Sequence, residues 1–213
     1  MLDTSCHSGV AWVKAAILLT LCSVTCAAKP PAGWSFGGPA AGYECALETE
    51  GGYQSSPAVV VSSRFPAASG FGSLMQAFKA GQYAGKRIRF SAYLASEQLQ
   101  GWAGLWMRVD NTNTVGARKI LAFDNMQKRP VRGTRTWQKY EIVLDVPTEA
   151  TEVSIGVLMD GGGLLRLSDV RIEPVGSEVP VTIPLIPGTL FGGAVTPWDS
   201  TRPDEPKNLN FLE

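Results

Sequence analysis

Apolar and polar residues alternate with period two through most of the chain. From residue 87 to 94, Ile88, Phe90, Ala92 and Leu94 fall on one face, and Arg87, Arg89, Ser91 and Tyr93 fall on the other. Side chains of a strand point alternately to its two faces, whereas an amphipathic helix would need apolar positions every three or four residues. The next run repeats the pattern. Ala103, Leu105, Met107 and Val109 share one face, opposite Trp102, Gly104, Trp106, Arg108 and Asp110. Shorter β-branched or aromatic runs predict further strands over residues 58–63, 74–78, 120–125, 137–146, 153–159 and 164–173. The Asp-Gly-Gly-Gly run at 160–163 predicts a turn joining the last two, and 145–152 reads as a polar connection around Pro147. Eight or nine short antiparallel strands at this spacing predict an all-β jelly-roll β-sandwich.

The two ends have a different texture. Lys14 precedes the uncharged apolar run 15–24, and small residues follow at Cys26-Ala27-Ala28. This is the order of a cleavable signal peptide spanning residues 1–28, with a buried apolar helix as the competing reading. Export to the periplasm or the medium follows from it, and acylation at Cys26 is a further possibility for the same segment. The sandwich domain is expected over residues 29–176. Residues 177–213 hold six prolines among apolar residues such as Ile183, Leu185, Ile186, Trp198 and Phe211. Proline denies ladder hydrogen bonds, so this tail is no central strand. It is expected to wrap the sandwich over an edge or a sheet face, or to serve as a docking arm for a partner.

Composition narrows the chemistry. Nineteen basic and nineteen acidic side chains cancel, so no overall basic excess draws the chain to nucleic acid. The single histidine, His7, lies within the leader. A mature chain starting at residue 29 would therefore lack imidazole for a catalytic triad or a zinc site. It would keep one cysteine, Cys45, set among apolar residues and read as an inert buried side chain. Carboxylates remain, and Asp110 and Asp124 are the candidate general acids of a histidine-free enzyme.

Three segments resemble the carbohydrate-binding jelly rolls of the galactose-binding-like kind. These are Tyr83-Ala84-Gly85-Lys86-Arg87-Ile88-Arg89-Phe90-Ser91-Ala92-Tyr93, Trp137-Gln138-Lys139-Tyr140, and Leu167-Ser168-Asp169-Val170-Arg171-Ile172. Such modules often carry a structural calcium, and the resemblance implies Asp169 as one ligand, with Glu44 on the first strand as another. A second resemblance is to bacterial proteins labelled as AraC-type transcriptional regulators. It is carried by Gly70-Phe71-Gly72-Ser73-Leu74-Met75-Gln76, Trp102-Ala103-Gly104-Leu105-Trp106-Met107-Arg108, and Leu121-Ala122-Phe123-Asp124-Asn125-Met126. It implies no DNA-binding role, because no helix-turn-helix pattern is present.

The expected function is binding of a glycan or a ring-bearing small molecule by one sheet face that presents Tyr93, Trp102, Trp106, Arg89 and Arg108, with Asn125 at its rim. Aromatic rings beside hydrogen-bonding groups suit such ligands. Two alternatives stand beside it: burial of these aromatics under the tail, and a cyclase- or isomerase-type enzyme that uses a carboxylate acid.

Overall fold

One strand organises the molecule. In the computed structural model, which describes residues 29–38, 42–66, 68–113, 118–183 and 201–213, strand β5 runs without a break from Arg87 to Asn111. Eight further strands surround it: β1 (Ser35–Gly37), β2 (Tyr43–Glu48), β3 (Ala58–Ser63), β4 (Phe71–Lys79), β6 (Lys119–Asp124), β7 (Val131–Asp145), β8 (Glu152–Asp160) and β9 (Leu164–Val175). All pairings are antiparallel.

Residues 87–97 of β5 pair with β9 on one side and β7 on the other, whereas residues 102–110 pair with β8 and 107–111 with β6. The strand therefore leaves one layer and enters the other. The first layer is ordered β7–β5–β9–β3–β2 and the second β1–β4–β8–β5–β6. This is a jelly-roll β-sandwich. At the corner Gln98 takes φ 48°, and the register with β7 slips three times between Leu94 and Ala103. Gly101 allows the close approach there, since a Cβ would lie 2.2 Å from the Asp160 carbonyl oxygen.

The inward faces are those expected from the alternation. Ile88, Phe90, Leu94, Leu105, Met107 and Val109 are fully buried against Leu74, Phe78, Val153, Ile155, Val157, Leu165 and Leu167 in one core. Cys45 is buried and forms no disulfide. The 160–163 turn does not close a hairpin. β8 and β9 lie in different layers, so the three glycines carry the chain across the end of the sandwich. β1 has only three residues, too short for any periodicity to reveal.

Residues 201–213 lie against β4 beyond the short reach of β1. The Lys79 amide donates to the Pro203 carbonyl (2.9 Å). The Gln76 side chain, turned toward the core, imitates a strand: its Nε2 donates to the Lys207 carbonyl (3.1 Å), and its Oε1 accepts from the Lys207 amide (2.9 Å). Phe211 then enters the core beside Trp34, with ring centroids 5.5 Å apart, and the Trp34 indole donates to the Asn208 carbonyl (3.0 Å). Earlier, Thr182 joins the outer edge of β7 at Val143. The expected leader, Cys26 and residues 184–200 of the tail lie outside the described residues. Among the described residues no helix is long and apolar enough to cross a membrane.

A large core aromatic cut to alanine costs about 3–5 kcal/mol. Phe211→Ala is expected to lower stability by that order, read as a fall in the urea midpoint at unchanged slope.

Candidate functional site

The register defines the outer face of the second layer as five rows crossing β4, β8 and β5. They read Phe71–Asp160–Trp102, Ser73–Leu158–Gly104, Met75–Gly156–Trp106, Ala77–Ser154–Arg108 and Lys79–Glu152–Asp110. One end of this face is therefore aromatic, with Asp160 between Phe71 and Trp102, and the other is an array of charges.

Trp106 lies flat in the middle. Its partner across the ladder is Gly156, where a Cβ would come within 2.7 Å of the indole Nε1 and 2.9 Å of Cε2. The ring occupies the space that any other residue at 156 would fill. Its Nε1–H continues to β4 and donates to Ser73 Oγ (2.9 Å), and Ser73 donates to the Val157 carbonyl (3.0 Å). The indole is thus laid across two neighbouring strands and held at its far edge. Gly104 makes similar room for the turn after β6, since a Cβ there would meet Met126 Cβ at 2.9 Å and the Asn125 carbonyl oxygen at 3.0 Å. That turn sits between Trp102 and Trp106 along the strand. Asn125 caps it, its Oδ1 accepting from the Gln127 amide (3.1 Å).

The charged end is an ion network. Asp110 is fully buried, and its Oδ2 accepts from Arg108 Nε (2.9 Å) and Arg118 Nη1 (2.9 Å). Glu152, also buried, accepts from Arg118 Nη1 (2.8 Å) and from Arg202 Nε (3.1 Å). Among the described residues three guanidinium groups face these two carboxylates. Arg108 and Arg202 hold these carboxylates through Nε alone and keep part of their side chains exposed (21% and 25%). Asp110 Oδ1 is buried with no donor. Burial raises the Asp110 pKa, and the neighbouring Arg108 and Arg118 oppose that rise.

The other expected site residues are dispersed. Tyr93 and Arg89 point out of the first layer, on the opposite side of the sandwich from Trp102, Trp106 and Arg108, because β5 changes layers between them. The expected single face is thus two faces. Tyr93 stacks on Tyr53 at a centroid distance of 3.6 Å and an interplanar angle of 9°, and Arg89 pairs with Glu173 (2.7 Å). Asp124 does not pair with Asp110. It stands across from Met107, whose side chain faces the core, while Asp110 faces outward. Both Asp124 oxygens are occupied: Arg129 donates to each (3.2 and 2.6 Å), the Met126 amide to Oδ1 (2.9 Å) and Thr182 to Oδ2 (2.6 Å). Asp124 is the knot that ties the tail's first residues to the β6–β7 turn, and no acceptor site is left on it for acid–base work.

Asp169 and Glu44 do not converge. Asp169, at φ 49° in a bulge of β9, is gripped through both oxygens by Arg171 (3.0 and 3.1 Å). Glu44 lies across from Ser62 at the other end of β3 and pairs with Arg64 (3.4 Å). Calcium takes six to eight oxygens. Among the described residues no three carboxylate, histidine or cysteine side chains come together, so these donors do not fit such a shell.

Sequence reasoning missed Ser73, Gly156, Glu152, Arg118 and Arg202. One signal was available, the glycine inside the run Ser154-Ile155-Gly156-Val157, since an interior strand glycine often marks a close approach.

No protein-family model matches the chain. A protein of Bacillus subtilis (strain 168) named "Uncharacterized HTH-type transcriptional regulator YbfP" is 41% identical over 143 residues, which cover 67% of this chain and 43% of that protein. The chain thus spans less than half of that relative's length, and no α-helix is present among the described residues. Solved structures that resemble this chain include the enzymatically active domain of bacteriophage CBA120 tailspike protein 4 (12% identical, TM-score 0.46, covering 68% of this chain and 20% of that one) and carbohydrate-binding modules. The CBM22-1 xylan-binding domain from Paenibacillus barcinonensis Xyn10C is 14% identical at TM-score 0.48, covering 70% of this chain and 91% of that one. The C-terminal family 22 module of Clostridium thermocellum Xyn10B is 20% identical at TM-score 0.46, covering 70% and 90%. TmCBM61, solved with β-1,4-galactotriose, is 15% identical at TM-score 0.41, covering 68% and 90%. None of these likenesses assigns a role to a residue of this chain.

Because its folded pKa is raised, Asp110 binds a proton more tightly in the folded than in the unfolded state. Its contribution to stability is present below the ordinary value of 3.8 and is lost as pH rises through the folded value. Urea unfolding between pH 3 and 7 is expected to show the parent losing stability relative to Asp110→Asn across that window; a pH-independent difference would mean that the pKa is not raised.

Proposed function

We propose that this protein is an exported, non-catalytic carbohydrate-binding β-sandwich whose sugar-binding surface is the outer face of the second layer. The observation that carries this reading is the Trp106 indole, laid flat over Gly156 and fixed at its edge by Ser73. A ring held parallel to the sheet offers its π face outward, and that face attracts the slightly positive C–H groups of a pyranose. Fixing it in advance removes the ordering cost from binding. Trp102 and Phe71 extend the apolar surface on one side of it. The free guanidinium nitrogens of Arg108 and Arg202 offer donors to hydroxyl oxygens on the other. The signal-peptide order of residues 1–28 supports export.

A histidine-free enzyme with Asp110 as its acid is the second reading. The buried carboxylate with a raised pKa beside an aromatic floor favours it. The two arginines that grip Oδ2 favour the binding reading, because they oppose that rise and occupy one of the two oxygens.

The test is titration calorimetry of the purified protein against neutral oligosaccharides, among them xylo- and galacto-oligosaccharides, with product analysis after long incubation. Trp106→Ala is expected to raise Kd at least about tenfold, a loss of about 1.4 kcal/mol. Ser73→Ala should raise it less, because it keeps the ring and removes only its anchor. Equal affinity in Trp106→Ala would move the site elsewhere, and turnover abolished by Asp110→Asn would make the protein an enzyme.

A further inference from the structure

The charge balance of the whole chain hides a local excess. Residues 125–140 contain Lys128, Arg129, Arg132, Arg135 and Lys139 and no acidic residue. Arg129 is engaged by Asp124, but Lys128, Arg132, Arg135 and Lys139 are all exposed, and none forms an ion pair. Most other arginines of the sandwich are paired, Arg87 with Asp145, Arg89 with Glu173, Arg166 with Glu48 and Glu97, and Arg171 with Asp169.

Arg132, which donates one Nη to the Gly101 carbonyl (3.0 Å), Arg135 and Lys139 lie on the outer strand of the first layer, and Lys128 lies in the turn before it. β7 pairs with β5 on one side. Among the described residues its other side is met by the chain at Val143, through Thr182, and at Glu141, whose carbonyl accepts from Arg129 (3.3 Å). At about 3.3 Å per residue, Arg132 to Lys139 covers about 23 Å. Thr134, Thr136 and Gln138 are exposed among them; Arg135 stands across from the inward Ser96 and Lys139 across from the outward Tyr93 of the stacked tyrosine pair, so the cations project from both faces of the edge.

We infer that this edge of β7 is a binding strip for an acidic polysaccharide, a polymer bearing uronate or sulfate groups. The positive groups are spaced along both faces of the edge, with exposed neutral hydrogen-bonding side chains among them. This matches a polymer whose charges are separated by hydroxyls. Nucleic acid carries a phosphate at every nucleotide and asks for a denser run of cations. Lysine on an edge strand also guards against strand addition. That role needs one or two charges and no hydroxyl-bearing side chains between them. The choice of a saccharide polymer rests on the carbohydrate reading above, but the strip uses different residues on a different strand.

The test is fluorescence anisotropy of the full chain with a labelled oligogalacturonide and a labelled heparin oligosaccharide, beside a single-stranded DNA of matched charge, at low and physiological salt. At least one acidic saccharide is expected to bind, more weakly as salt rises. The triple variant R132Q/R135Q/K139Q should weaken that binding about tenfold or more and flatten its salt dependence, since fewer ion contacts release fewer counterions. Its thermal midpoint should stay close to the parent's, as for other exposed substitutions. Trp106→Ala should leave this binding within about twofold, which separates failure of the strip from failure of the Trp106 surface. The inference is overturned if neither saccharide binds at low salt, if the triple variant binds as the parent does, or if the loss appears with Trp106→Ala and not with the triple. Tighter binding of the DNA than of either saccharide, lost in the triple, would also overturn it and mark a nucleic-acid surface.

Discussion

The passage of β5 from one layer to the other is the constraint on which the molecule depends. A strand shared by two layers must present its inward side chains to the same core before and after the corner, so its alternation has to survive the bend. It does: Leu94 and Leu105 are both fully buried, although the register slips between them. The same passage separates the outward side chains. Tyr93 and Trp106, thirteen positions apart on one continuous strand, end on opposite surfaces of the sandwich. The two surfaces share one piece of backbone and a common core.

The two surfaces manage charge differently. On the first layer the ion pairs are open to solvent and contribute little individually. On the second layer the Asp110 and Glu152 carboxylates are removed from water altogether, and three arginines from β5, the segment before β6, and the C-terminal segment converge on them. Burying carboxylates carries a desolvation penalty that only well-placed partners offset, and losing one partner leaves the rest exposed to it. The network thus ties three distant parts of the chain to one geometry. It also sets the polar boundary of the aromatic floor.

The strands were legible because burial on one face writes itself into the sequence with period two. Residues 58–63 form a strand with the expected limits, and the inward set of β5 is the set the alternation implies. What the pattern lacks is any record of which layer a strand joins. The run 87–94 and the run 102–110 look alike in sequence, and nothing in either says that a corner lies between them. The expectation of a single face with Tyr93 and Trp106 side by side failed for that reason. Asp124 and Asp110 were candidates for acid–base work because carboxylates remain where imidazole is lacking, but the parity of the β5–β6 register puts them on opposite sides of a sheet. The basic run at 125–140 was visible in the sequence throughout, but it was masked by an overall charge of zero.

The seat of Phe211 has a consequence for how the protein is made. The ring lies in the same core as Trp34, and Gln76 holds the backbone that delivers it. The first and last described parts of the chain are therefore neighbours in space, and so are the strands that the intervening sequence separates. Contacts of such long sequence separation form slowly, because the loop they close must lose its freedom before any of them rewards the loss. The core cannot close around Trp34 until the chain as far as Phe211 has been synthesised. Until then Trp34 lacks one wall of its packing, and this end of the core stays open to water.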